Sequence, residues 1–369
     1  MATSERVLDL PARGPVASAV VERASSGAGW RLLAAGPLVA ALTVLAGLLI
    51  ADRSGSPFRD PDHVAVLYIV EVGFGVALLV AFDVFLRAAR RTGTWRPTRA
   101  AMASIRRDRW TSGRAVAVAV ALVSFYVTYL AYRNLKAAVP LIRPGDLFDR
   151  QLADADKLLF LGHDPAALLH GLVGTGIAAH VLSGFYVAFI VFLPLSLGLA
   201  LVFSERLQVS LFYATALSIG WVLGAASYFL LPSLGPVYVD PAAFGSLPHT
   251  EVTHLQQMLL DQRTGFLADP EGGTPQAIAA FASLHIAMSF TALLAAYLLG
   301  LGRRVKAALW LWLALTFVAT VYLGWHYAVD DVAGLAIGAG ALLLARLVTG
   351  FDPRSARVPV TAPANRSVP

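Results

Sequence analysis

Residues 307–348 read AALWLWLALTFVATVYLGWHYAVDDVAGLAIGAGALLLARLV. Two apolar runs, each close to the ~20 residues a membrane helix needs, meet at a short polar junction, Gly324-Trp-His-Tyr-Ala-Val-Asp-Asp331. His326 and Asp330 in that junction are four apart and so share one helical face. An ionisable pair at the edge of an apolar segment is costly, and it marks a functional site by default.

The rest of the chain repeats the apolar pattern. Hydrophobic residues make up 57% of the 369 residues and charged residues 14%, and mean hydropathy is +0.67. A soluble domain carries about 25% charged residues. The reading is an all-α, polytopic transmembrane helical bundle. About eight spans are expected, near 30–50, 64–88, 115–132, 182–202, 211–231, 274–301, 307–324 and 332–348. The sixth would start with Thr274 as N-cap and Pro275 at the first helical position. Pro140 and Pro144 are expected to break the third helix's extension. Residues 146–156 read as a polar surface helix and 165–181 as a re-entrant or interfacial one. Residues 1–29 and the tail from Phe351 are expected to be disordered and cytoplasmic.

Net charge is +6, largely from Arg. Eight arginines fall between Arg90 and Arg114. Between apolar runs, this is the positive-inside pattern and not a nucleic-acid footprint. With that loop inside, eight spans place Arg206, the Arg303–Lys306 loop and both termini inside as well. The same count puts Lys136–Pro144, the 232–273 loop and the His326 junction together on the outer face. Such a topology fits a plasma membrane. Cysteine is absent, so no disulfide, thiolate nucleophile or Cys-based metal site is available. No cofactor and no metal site is expected.

Three stretches then converge: Lys136 with Arg143-Pro144, Ala282-Ser283-Leu284-His285, and His326 with Asp330. A neutral imidazole attacks phosphorus, and a carboxylate on its other nitrogen orients it. A second histidine, His285, is placed to serve as general acid and base. Lys136 and Arg143 supply cations, and Ser283 near a helix start supplies a donor. Each residue also has a structural reading. His326 and His285 can be interfacial, Lys136 can snorkel at a helix end, and Arg143 can close a loop. Asp331, on another face, reads as solvated or as a helix N-terminal charge.

Lysine, six residues, then Arg-Pro resembles the first signature of the type 2 phosphatidic acid phosphatase superfamily. Ser283-Leu284-His285 resembles its second, and His326 with Asp330 its third. Ser-Leu-His, Gly-Trp-His-Tyr and Leu231-Pro-Ser-Leu-Gly-Pro236 resemble the inositol-phosphorylceramide-synthase-like branch. The resemblance spans roughly 115–348. It implies a six-helix catalytic core following two N-terminal spans and an Arg-rich loop (30–114). It makes His326 the nucleophile, Asp330 its orienter and His285 the acid/base, with Lys136 and Arg143 on phosphate. The partners it implies are membrane lipids, as phospholipid or isoprenoid phosphate substrates, with a lipid or sugar hydroxyl as acceptor; no nucleic acid is implied. Two positions depart from the pattern: Ala282 stands where proline is usual, and Thr320 where an arginine is expected. These favour a second class of function, a non-enzymatic lipid transporter or scaffold. The Ala, Arg and Gly bias fits a GC-rich bacterial genome, such as an actinobacterial one.

Overall fold

A computed structural model describes residues 29–352, apart from 61, 62, 276, 277 and 279. The expected disorder of residues 1–28 and of 353–369 lies outside the described residues, as does Asp62. Thirteen α-helices make up the described chain, with no strands among the described residues. Seven of the helices are long and apolar enough to cross a membrane, so this is a multi-pass membrane protein.

The first two long helices are α1 (Gly29–Ser54) and α2 (Val64–Thr92). A short basic helix, α3 (Arg99–Arg109), follows, with Thr98 accepting from Ala101 N at its start. Next, α4 (Ser112–Ile142) begins at the Thr111 cap and runs ten residues past the expected Tyr132. Pro140 does not break it. In the last turn a proline removes a single helical bond, and the helix closes when Arg143 N–H reaches Val139 O. That extension carries Arg133 and Lys136 on helix, three apart and on one face.

Helix α5 (Asp149–Leu159) occupies the stretch expected as a surface helix. The segment expected as one re-entrant helix is split. Residues 165–181 are divided between α6 (Pro165–Val173) and the start of α7 (Ile177–Phe203), which begins five residues before the expected span. Asp164 caps α6 and Pro165 takes its first position. Helix α8 (Leu207–Leu230) is followed by a four-residue turn, α9 (Pro236–Val239), and by α10 (Glu251–Ala268).

The sixth apolar segment is shorter than expected. Residues 274–283 are not helical where described, and the Phe281–Ala282 peptide is cis. Helix α11 (Leu284–Leu298) starts instead at Ser283, whose hydroxyl accepts from Ile286 N. Ser227 is the reason a strap can run here. Its hydroxyl accepts from Ala282 N and donates to Phe281 O, which satisfies backbone that no helix pairs. Helices α12 (Arg303–Tyr322) and α13 (Ala328–Thr349) complete the chain.

Close packing between α11 and α13 fixes where the polar junction sits. A Cβ on Gly334 would lie 2.5 Å from Ser283 O, and one on Gly338 2.5 Å from Ala287 O. With lipid outside, small residues that let backbones touch do what apolar burial does in water. Helix α1 lies along α4, and α4 and α13 both pack on α8.

Candidate active site

The junction between α12 and α13 holds His326, 7% exposed, against Asp330, fully buried. Asp330 Oδ2 sits 3.3 Å from His326 Nδ1 and accepts from Tyr327 N at 3.0 Å. The carboxylate therefore orients the imidazole and caps α13 at once. Ser283 N donates to Asp330 O, which ties this turn to the start of α11. Burial pushes the His326 imidazole below the usual histidine range, against the opposing pull of Asp331 and the Ala280 backbone.

His285, in the first turn of α11, faces it with ring centroids 6.2 Å apart. It is sandwiched by Tyr186, at 4.4 Å, and Phe189, at 4.2 Å, both from α7. A cavity of about 190 Å³ opens between the two histidines, lined also by Arg133 and Lys136 from α4. Its remaining walls are mostly aromatic: Tyr129, Tyr132, Trp221, Tyr228, Tyr186 and Trp325.

Arg143 stands apart from this cavity. Its guanidinium donates to Phe229 O and Leu230 O and pairs with Asp146. Ser283 is fully buried, with its hydroxyl at the start of α11. So the structure brings His326, His285 and Lys136 to one cavity, with Asp330 buried behind His326, and leaves Arg143 and Ser283 outside its lining.

Asp331 corrects the expectation of a solvated charge. It is fully buried, and Thr320 Oγ1 donates to its Oδ2 at 2.7 Å. Both acids of the first α13 turn are enclosed because α11 and α12 pack on either side. Thr320 thus serves the junction from inside the bundle.

Two further acids escaped the sequence reading. Asp149 and Asp156 lie seven apart on α5, with Leu152 between them on the same face, and all three are buried. Asp149 accepts from Leu234 N, Gly235 N and the Tyr327 hydroxyl. Asp156 accepts from Ala328 N and Val329 N at 2.7 and 2.9 Å. It supplies from another helix the capping that α13's first amides lack, and burial pushes its carboxyl up despite those donors. The Leu231–Pro236 loop is the intermediary. Ser233 holds the strap at Ala280 and Phe281, and Gly235, at φ 100°, packs against the Trp325 carbonyl. A Cβ there would approach that oxygen to 2.5 Å. The heptad spacing of Asp149, Leu152 and Asp156 was the available signal.

Among the described residues, no group of three His, Cys, Asp or Glu side chains is placed to hold a metal ion. A family model described as the PAP2 superfamily matches residues 150–344, just over half of the chain. No curated protein and no solved structure matches.

Proposed function

Because the chain belongs to the PAP2 superfamily, whose members are phosphatases and phosphotransferases, we propose that it cleaves a lipid phosphate ester through a phosphohistidine on His326. The observation that carries this is the pairing of Asp330-held His326 with His285 across one cavity that Lys136 also lines. His326 attacks phosphorus, forming a P–N bond as the P–O bond to the leaving alkoxide breaks. His285 gives that alkoxide its proton. In the second half His285 takes a proton from the acceptor hydroxyl, whose oxygen displaces the histidine.

The aromatic walls favour transfer over hydrolysis. Flat rings exclude water and offer apolar faces to a cyclic polyol, as phosphoinositol-type head-group transfer between lipids requires. Water as acceptor gives the alternative, a lipid or isoprenoid phosphate phosphatase. The site lies on the outer face in this reading, with the termini and the α2–α3 arginines in the cytoplasm.

The test is mass spectrometry of products from detergent-purified protein given phosphatidic acid, isoprenoid phosphates and phosphatidylinositol, with and without a lipid alcohol. A head-group-bearing lipid formed only with acceptor is expected. Free phosphate in its place means a phosphatase. His326→Ala should lower either product by at least ~10³-fold. Turnover that survives this substitution rules out the phosphohistidine, and transport without any turnover means a transporter or scaffold.

A further inference from the structure

Lys136 is the one cation of the expected set that reaches the cavity. A phosphoryl group with charge on three oxygens needs more. One turn earlier on α4, Arg133 lines the same cavity. It is 6% exposed, and its Nε and Nη1 have no hydrogen-bond partner among the described residues. Its ion-pair contact, Asp60 Oδ1, stands 3.6 Å from Nη1, too far for a hydrogen bond. Arg133 and Lys136 are also close enough for their charges to interact. A buried guanidinium with unmade bonds beside a like charge is unfavourable on both counts. Because Arg133 and Lys136 both line the cavity, an anion there offsets the like-charge pair, and a planar guanidinium fork matches phosphate.

We propose that Arg133 binds the phosphoryl oxygens of the substrate together with Lys136, with Asp60 as its positioning residue. This rests on reading the cavity as a phosphate site. It makes the α1–α2 loop part of that site. Asn134 Nδ2 donates to Arg59 O at 2.9 Å, and Asn134 Oδ1 accepts from Arg59 N at 3.0 Å. The Arg59 guanidinium holds the Pro270, Glu271 and Gly273 carbonyls. The loop bearing Asp60 is thus fixed to the residue next to Arg133 and to the start of the strap. Arg133 and Asp60 both precede the segment matched by the family model.

Binding of inorganic phosphate to the full-length protein in detergent, followed by thermal shift, tests this without requiring turnover. Wild type should bind phosphate, and Arg133→Gln should bind roughly 10- to 100-fold more weakly. Arg133→Lys keeps the charge and loses the fork; it should bind more weakly than wild type while melting at the same temperature without phosphate. Asp60→Asn should weaken phosphate binding with that same unchanged midpoint, and unchanged affinity there removes Asp60's role. Wild type that does not bind phosphate, or Arg133 variants that bind it as tightly as wild type, overturn the proposal. His326-dependent turnover alongside phosphate binding indifferent to Arg133 defeats this inference and leaves the catalytic reading standing. Arg133-dependent phosphate binding without any turnover does the reverse.

Discussion

Two ends of the same helices bury arginine in opposite ways. Where α2 and α7 end and α4 begins, Asp83 is buried and takes both Arg87 and Arg109, at 2.7 and 2.8 Å. Glu205 takes the same two arginines from the other side. Burial alone would raise the Glu205 carboxyl, but the two guanidiniums outweigh it and hold it below the usual range. Arg109 and Arg114 also donate to the carbonyls that end α7. At the other end, where α4 and α8 finish and α7, α11 and α13 begin, Arg133 is more enclosed than Arg87 or Arg109 and leaves Nε and Nη1 without a hydrogen bond among the described residues. Arg87 and Arg109 each meet two carboxylates. Among the described residues Arg133 meets only Asp60, at 3.6 Å, and its side chain lines a cavity that an anion could enter.

This contrast breaks most visibly at Asp83. Asp83→Asn weakens the hold on two partly buried arginines that keep Glu205, and should cost about 1–3 kcal/mol of stability. The lowered melting midpoint should come with an unchanged KM for the lipid phosphate. A KM that rises in step with the loss of stability would mean the two ends are not independent.

Asp156→Ala sharpens the other side. It removes the acceptor of Ala328 N and Val329 N and should cost about 1–2 kcal/mol. Because those amides open the helix that carries Asp330, kcat should fall more than KM rises. An unchanged kcat at reduced stability would reduce Asp156 to a plain cap.

The smallest expected effect is on pH dependence. Attack needs neutral His326, and burial holds its pKa below the ordinary 6.5. Activity should persist as pH falls to 6.5 and decline only below it, as the ring protonates. A kcat/KM profile whose acid limb lies above 6.5 would contradict a buried neutral nucleophile.

The bundle itself was legible because membrane helices announce themselves by length and composition. The proximity of His326, Asp330, His285 and Lys136 was legible because fixed spacing on helices puts them at span ends. The surroundings of Arg143 and Ser283 were not: Arg143 donates to the last carbonyls of α8, and Ser283 accepts from Ile286 N in its own helix start. The reading of 146–156 as a surface helix missed its buried face, because the partners that bury Asp149 and Asp156 are backbone amides up to 173 residues away.

Sequence alone determined the membrane environment, the helical class and which His and Asp residues are candidates for one site. These follow from residue type and from spacings of a few positions. Only the tertiary structure decided which cations reach the cavity, that Thr320 and Asp331 pair inside the bundle, and that α5 holds the start of α13. Those outcomes depend on which unpaired backbone and side-chain groups meet when distant segments pack, and no local spacing encodes that.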